Sequence, residues 1–444
     1  MLEKTICAVA TGYDTGAISV IRVSGPDTFE LLSKVFTKDV SKAAGYTAHY
    51  GNIVSPVTSA FVDEVVVTVY RAPRSYTGED MAEVSCHGGR LVTNEVLNTL
   101  LEAGCELAER GEFTQRAYLN GKMDLTEAEA VNDMINARTK DQLALAGKEL
   151  RGSVKNLLDP LKEDMVRVIG NIEVNIDYPE YEDVDVLTNE EVLPKTEEWI
   201  LKIDEILKES EKGKIIREGV KTAIVGRTNA GKSSLFNALL EEDKAIVTDI
   251  EGTTRDIVEG EIRLDTVTLL LQDTAGLRET DDAVESIGIR KTKESMEGAD
   301  LVIVVFDGSK PLEEEDLRLL DETEDKNRII VFNKKDLVDS PEYGIYISAK
   351  EGKIQPLIDE INRRFEDCRE VIQNPALSNE RQIGLLRKAR VSLNDARTAM
   401  KAGTELDLVT VDLNDAHNAI REIEGTYTKE NLLDDIFQRF CLGK

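Results

Sequence analysis

Histidine and cysteine are scarce in this chain of 444 residues, with three of the first and five of the second. Cys7, Cys86, Cys105, Cys368 and Cys441 form no Cys-x-x-Cys pair, and His49, His87 and His417 are scattered, which argues against a structural zinc site. An odd cysteine count in a chain without secretory features points to reduced thiols. No apolar run approaches the roughly 18 to 20 residues that span a bilayer. Residues 1–10 carry no basic region followed by an apolar core and cleavage site, so the expectation is a cytoplasmic chain with no membrane span. Positive charge is also in deficit: 55 Lys and Arg against 85 Asp and Glu give a net charge of -30. That balance excludes a broad, non-specific grip on phosphate backbones, and a nucleic-acid substrate would need a local basic patch or a basic partner. What the chain does have, 41% hydrophobic and 32% charged residues, fits a folded protein and excludes low-complexity and wholly disordered readings.

At roughly 150 residues per domain, the length gives about three domains. Residues 5–113 alternate strands with short helices. The β-branched runs at 17–23 and 64–70 are separated by turn-rich segments at 12–16 and 74–80, which predicts a mixed α/β or α+β domain. After Asp124 the period becomes helical, with Leu150, Val154, Leu157, Leu161, Met165, Val168 and Ile172 forming one apolar stripe. Pro160 is expected to kink that helix or mark its start. The acidic stretch 177–185 reads as a solvated loop, and a further amphipathic helix is predicted from about 189 to 211.

From 221 to about 365, apolar strands at 222–225, 269–271, 301–306, 329–332 and 345–347 alternate with helical segments. This predicts a mainly parallel sheet with helices on both faces. From 380 onward the helical period returns through Leu385, Leu386, Ala389, Leu393, Leu413, Ala416, Ile420 and Ile423. Neither helical flank has a partner of its own, so both are inferred to pack as one helical domain interrupted by the α/β insertion.

The insertion carries the sharpest chemistry. Residues 226–234 read GRTNAGKSS, after an apolar strand and before an apolar-periodic segment. In such a loop the backbone N–H groups around Asn229, Ala230, Gly231 and Ser234 converge on phosphate oxygens. Lys232 neutralises the outer phosphates and Ser233 supplies an oxygen to Mg²⁺. Downstream, Asp273, Thr274, Ala275 and Gly276 form a D-x-x-G in which Asp273 holds Mg²⁺ through water and the glycine amide senses the γ-phosphate. Thr254, within Gly252-Thr253-Thr254-Arg255-Asp256, can complete the Mg²⁺ shell. Later strands end in Asn333-Lys334-Lys335-Asp336 and Ser348-Ala349-Lys350. The Asp336 carboxylate can accept from the N1–H and 2-amino group of guanine, donors that adenine lacks, and sites built on such donors reject the wrong analogue by roughly 10⁴ to 10⁵. Five elements in this order predict GTP binding.

How GTP would be cleaved is less plain. Leu277 stands where Ras-type proteins carry the glutamine that orients the attacking water. The acidic segment 279–285 is the nearest source of a substitute, and Arg255 and Arg278 are candidate charge stabilisers; spacing leaves the choice open.

Other segments carry a resemblance. Ser75-Tyr76-Thr77-Gly78-Glu79-Asp80, Cys86-His87-Gly88-Gly89, GEFTQRAYLNGKMDLTEAEA at 111–130 and the terminal Phe440-Cys441-Leu442-Gly443-Lys444 join GRTNAGKSS, DIEGTTRD and DTAGLRET. Together they resemble the tRNA modification GTPase family called MnmE or TrmE across essentially the whole chain. The resemblance implies a multidomain α/β and α architecture. Residues 1–118 would be an N-terminal α+β domain that binds tetrahydrofolate and dimerises. A helical domain would be formed by two segments, 119–216 and 376–444, the second ending in the Cys-Leu-Gly-Lys motif. A Ras-like P-loop G domain would be inserted at 217–375. It further implies GTP hydrolysis and action as a homodimer with an FAD-dependent partner, MnmG or GidA, in a heterotetramer or larger complex. The product would be an aminomethyl or carboxymethylaminomethyl group at C5 of the wobble uridine of certain tRNAs, its carbon taken from 5,10-methylenetetrahydrofolate, with 5-formyltetrahydrofolate as an analogue.

Residue by residue, the resemblance assigns folate contacts to Arg22, Glu83, Lys122 and the terminal Lys444. It assigns K⁺, in place of an arginine finger, to Asn229 with oxygens from Thr248, Ile250 and Thr253, and a water-orienting role to Glu285. For Cys441, near the folate pocket, it raises covalent attack on uridine C6 alongside simple packing. Cys86 and His87 are adjacent and would point to opposite faces of a strand, which suits a structural role. Three positions depart from the family pattern. Thr11-Gly12-Tyr13-Asp14 replaces Thr-Pro-Pro-Gly, Thr228 replaces the proline of the phosphate loop, and Asn379-Glu380-Arg381-Gln382 ends in glutamine where the family has histidine. A second reading is a GTPase switch acting in ribosome or RNA-partner assembly without modification chemistry; the acidic balance disfavours it as an independent RNA binder.

Overall fold

The computed structural model describes residues 4–12, 14–177, 187–241, 245–246, 258–272, 295–338, 344–374, 376–426 and 430–444. They divide into two compact units. One comprises residues 1–137, 146–197 and 388–444, the other residues 138–145 and 198–387.

The first unit is built on a six-stranded sheet of β1 (Ile6–Val9), β2 (Ile18–Ser24), β3 (Thr47–Val54), β4 (Phe61–Tyr70), β5 (Met81–His87) and β6 (Glu106–Leu107), in the order β3-β4-β5-β2-β1-β6. All neighbours are antiparallel except β1 and β6. Alternation explains why these segments are strands. Val65, Val67 and Val69 of β4, Val84 of β5, and Ile21 and Val23 of β2 all point inward. They join Leu31, Leu32 and Val35 of helix Thr28–Val35 and Val96 and Leu100 of helix Arg90–Ala103 in one core. The opposite face of the sheet carries the odd-phase residues, among them Arg22 and Glu83, which are paired across β2 and β5. β4 begins three residues earlier than the β-branched run alone suggested.

In the same unit, helix Ser153–Asp177 packs on helix Leu406–Ile423, so the two helical flanks do meet. The buried row on the first helix is Val154, Leu158, Leu161, Met165, Ile169 and Ile172. Leu158 and Ile169 therefore occupy the seam where the sequence reading put Leu157 and Val168, which flank it half-buried. Each apolar pair offers adjacent positions about 100° apart, and periodicity does not choose between them. Pro160 lies inside this helix rather than at its start. The next helix, Asn189–Glu218, runs beyond the expected end near 211. Among the described residues, no helix is long and apolar enough to cross a membrane.

The second unit holds a seven-stranded sheet of β7 (Val220–Val225), β8 (Ala245–Ile246), β9 (Val258–Arg263), β10 (Thr268–Gln272), β11 (Leu301–Asp307), β12 (Arg328–Asn333) and β13 (Ile345–Tyr346), ordered β13-β12-β11-β7-β10-β9-β8. The strands from β13 to β10 run parallel, and β9 and β8 add an antiparallel edge. Both faces are covered. Ile224, Ile303 and Val305 pack with Leu235, Leu239 and Leu357 on one side, while Ala223, Val225, Val302, Val304 and Phe306 pack with Met296, Leu319 and Leu320 on the other. That double burial explains the unbroken apolar runs of β7 and β11. Following the chain, β10 joins one side of β7 and β11 the other. The order thus reverses at β7, and open parallel sheets bind ligands at the carboxyl ends of their strands beside such a reversal.

Candidate functional sites

The first site lies at that switch point. β7 leaves the sheet at Val225, and the loop that follows enters helix Lys232–Glu241. Asn229 takes the left-handed region at φ 63, which asparagine tolerates better than most side chains, and Gly231 follows at φ 94. At Gly231 a Cβ would collide with the Asn333 carboxamide, so the loop backbone is pressed against the end of β12. Asn333 is 3% exposed. Its Nδ2 donates to the Ala230 carbonyl at 3.0 Å and its Oδ1 accepts from the Ala349 amide at 3.0 Å. A carboxamide offers donor and acceptor on one planar group, so Asn333 joins the phosphate loop to the Ser348-Ala349-Lys350 turn.

Lys232 donates from Nζ to the Gly226 and Arg227 carbonyls at 2.8 and 3.0 Å, and burial pushes its amine below the usual lysine range. The ammonium is thereby held under the loop crest. Ser233 and Ser234 are exposed on the first helical turn, where unsatisfied N–H groups and the helix dipole favour anions. Outside the loop, Arg227 is gripped by Glu313, Glu315 and Asp316 at 2.8, 2.9 and 3.4 Å.

The residues that the sequence assigns to base recognition lie at the ends of β12 and β13. Lys334 adopts φ 66 and its Nζ meets Asp307 Oδ2 at 2.7 Å. Asp336 sits in the short 3-10 turn Lys335–Leu337 and accepts from Ser348 Oγ at 2.6 Å. That hydrogen bond holds its carboxyl below the ordinary carboxylate range, keeping it an ionised acceptor. The structure thus brings Asn229, Ala230, Gly231, Lys232, Ser233 and Ser234 to the same sheet end as Asn333, Lys334, Asp336, Ser348, Ala349 and Lys350. Thr248, Ile250, Thr253, Thr254, Arg255, Asp273, Thr274, Ala275, Gly276 and Glu285 lie outside the described residues, as do Leu277 and Arg278.

A second site lies in the other unit, on the face of the six-stranded sheet opposite its main core. A cavity of about 360 Å³ is lined by Arg22, Tyr46, Tyr70, Arg74, Ser75, Tyr76, Met81, Glu83 and Lys122. Arg22 reaches Glu83 Oε1 from Nη2 at 2.8 Å and from Nε at 3.2 Å. Its guanidinium lies over the rings of Tyr76 and Phe113, at 5.1 and 5.6 Å. Tyr70 donates to Glu83 Oε2 at 3.3 Å; burial and then the Glu83 charge push its phenol up. Lys122 donates to the Pro73 carbonyl at 2.9 Å.

The chain's last residues close this arrangement. Leu442 packs with Tyr76 against Ile6, Ala8, Ala108 and Phe113. Gly443, at φ 87, lies so close to the Val9 carbonyl that a side chain would not fit, and its own carbonyl accepts from Arg22 Nη1 at 3.3 Å. Lys444 then stands over the Tyr76 ring at 5.7 Å, its amine pushed down by burial and by the neighbouring Arg22 charge. Arg22, Glu83, Lys122 and Lys444 are therefore brought together. Tyr76 belongs to the segment 75–80 that carries the resemblance, but neither it nor Tyr70 or Arg74 is among the residues the resemblance assigns to folate. For Tyr70 the signal existed, since strand alternation puts it on the face of Thr68, which pairs with Glu83.

Cys441 is exposed. Cys86 is buried with its thiol pushed up by desolvation and Sγ directed to the Ser19 carbonyl, while exposed His87 turns its Nδ1 to Asp63 at 2.7 Å. The two side chains take opposite faces and do not form a nucleophile and base.

Asn333→Ala should remove both links between the two nucleotide loops. Buried partners left unsatisfied cost about 1–3 kcal/mol each, so GDP affinity by calorimetry is expected to fall roughly tenfold or more. Unchanged affinity would contradict the role given to this side chain.

Comparison with known proteins agrees along the whole chain. Residues 125–441 match the family described as MnmE helical domain, and residues 5–122 match the GTP-binding protein TrmE N-terminus. The tRNA modification GTPase MnmE of Streptococcus pneumoniae strain D39 is 44% identical over 450 residues, covering 99% of this chain and 98% of the relative. That of Lactiplantibacillus plantarum is 42% identical over 455 residues with the same coverage. Among solved structures, Aquifex aeolicus Era bound to GDP.AlF4- is similar over 33% of this chain and 56% of its own, at 25% identity and a TM-score of 0.26. The chain belongs to the MnmE (TrmE) family of tRNA modification GTPases.

Proposed function

We propose that this GTPase couples K⁺-dependent hydrolysis of GTP to the installation of an aminomethyl or carboxymethylaminomethyl group at C5 of the wobble uridine of certain tRNAs. It acts in the cytoplasm as a homodimer with the FAD-dependent MnmG (GidA), and the transferred carbon comes from a tetrahydrofolate one-carbon unit. In this reading residues 1–118 hold the folate, residues 119–216 and 376–444 form the helical domain, and the G domain of residues 217–375 is inserted between them.

The observation that supports it most is the meeting of Arg22, Glu83 and Lys122 in the lining of one cavity, with Lys444 over the Tyr76 ring that also lines it. A pterin edge presents N–H donors that suit the Glu83 carboxylate, and a folate tail carries carboxylates that suit Lys122, Lys444 and Arg22. Tyr76 and Tyr70 give the cavity aromatic walls. The net charge of -30 supports dependence on a partner for holding tRNA.

In the G domain, Asn229 presents an exposed carboxamide on the loop crest, and the whole donor set assigned to the metal ions is oxygen, as hard cations require. Asn229, Thr248, Ile250 and Thr253 would hold K⁺, which supplies positive charge beside the phosphates when bound. Ser233, Thr254 and, through water, Asp273 would hold Mg²⁺. Lys232 neutralises the outer phosphates, Asp336 selects guanine, and Glu285 orients the water in place of the glutamine that Leu277 displaces. Arg255 adds charge at the same end, and Cys441 stands beside the one-carbon site.

Two outcomes test the proposal. A ligand at about 100 times its dissociation constant adds roughly 2.7 kcal/mol of stability. 5-Formyltetrahydrofolate should therefore raise the unfolding temperature of the wild-type protein by a few degrees and leave Glu83→Gln unmoved. No shift in wild type would remove the folate reading. GTP turnover should be fast in K⁺ and slow in Na⁺, with Glu285→Ala losing roughly 10²-fold or more in hydrolysis while keeping GDP affinity. Equal rates in the two salts would remove K⁺, and full turnover by the mutant would remove Glu285.

A further inference from the structure

Resting on the reading that Asp336 selects guanine, we propose that Asp307 is the positioning residue for the face of the base: by gripping the Lys334 ammonium it stretches the lysine stem across the mouth of the base site. Asp307 is the last residue of β11 and pairs in register with Asn333, the residue just before Lys334. Lys334 leaves β12 in the left-handed region, at φ 66 and ψ 38, which turns its side chain away from the strand direction. Its Nζ then reaches Asp307 Oδ2 at 2.7 Å, so the four-methylene stem bridges the ends of two neighbouring strands.

The acceptor is itself fixed. Asp307 Oδ1 accepts from the Ser309 hydroxyl at 2.6 Å and from the Ser309 amide at 3.1 Å, leaving Oδ2 to the lysine. Burial pushes the Asp307 carboxyl up, but the hydrogen bonds from Lys334 and Ser309 outweigh it and hold the group below its ordinary value. With side-chain exposures of 17% and 31%, the contact is shielded enough to exceed a solvated surface ion pair.

Asp336, two residues on, is held from another direction by Ser348. The division of labour follows. Asp336 reads donors on the base edge, which differ among purines. The stem offers methylene surface to the base face, which all purines share. Fixing the ammonium means that binding does not have to order a long flexible side chain, whose rotamer freedom is otherwise lost.

The test uses the full chain, a fluorescent GDP analogue, and displacement by GDP or by IDP, which lacks the 2-amino group. Asp307→Asn keeps the shape and an acceptor for Ser309 while removing the charge. It is expected to weaken GDP and IDP by the same factor, about tenfold, leaving the GDP/IDP ratio as in wild type. A changed ratio overturns the proposal, because Asp307 would then act through the edge-reading carboxylate, and so does unchanged affinity. In a double-mutant cycle, Asp307→Asn should cost nothing further once Lys334→Met is present; an equal loss in both backgrounds overturns it. Should Asp307→Asn not fold, Lys334→Met alone carries the test. It must weaken GDP and IDP equally, and a loss for GDP alone overturns the assignment.

Discussion

A single buried carboxamide holds the nucleotide site together. Asn333 spans the phosphate loop and the Ser348-Ala349-Lys350 turn with one donated and one accepted hydrogen bond. Everything around it follows from strand packing. β7 and β11 are buried on both faces, so neither face can host a polar ligand, and polar chemistry is confined to the loops at the strand ends. The reversal of strand order at β7 lets the loops after β7 and β12 meet there. Gly231 permits the contact because no side chain would fit beside Asn333. The loop after β7 and the turns after β12 and β13 are therefore one assembly.

The second site is assembled by the opposite route. Its residues come from strands β2, β4 and β5, from the connection between β4 and β5, from the residue before β3, from the loop after helix Glu112–Leu119, and from the last residues of the chain. Arg22 links Glu83 to the Gly443 carbonyl, and Leu442 anchors the tail in an apolar cluster. A mostly buried ion pair is a poor source of stability, because desolvation offsets much of the attraction. The pair lines a cavity, next to the Tyr76 ring over which Lys444 stands. Burial and the neighbouring Arg22 charge push the Lys444 amine below its ordinary range, and an anion beside it would shift it back up.

The two sites differ in how much of them the sequence revealed, and the reason is contact range. The role expected of residues 226–234 runs through consecutive backbone amides, so their geometry is written in local spacing. The Asp336 carboxylate is legible for the same reason, as part of a short turn after a strand. Arg22 meets the Gly443 carbonyl 421 positions along the chain, beside Lys444, and no spacing rule reaches that far; resemblance alone named Arg22 and Lys444. Asp307 carried no motif signal, because its partner comes from the next strand. In the helices, periodicity found the correct seam but chose Leu157 and Val168 over Leu158 and Ile169, since a stripe wider than one residue leaves neighbouring positions equivalent. β4 extends back to Phe61 because pairing with β3 continues past the apolar run.

The unity of the nucleotide site is most directly tested by amide hydrogen exchange during titration with GDP. If Asn333 joins the two loops, the amides of residues 230–235 and of 333–337 with 348–350 gain protection together, along one binding curve. Protection of the phosphate loop with the base loops unchanged, or two curves of different midpoint, would contradict the account.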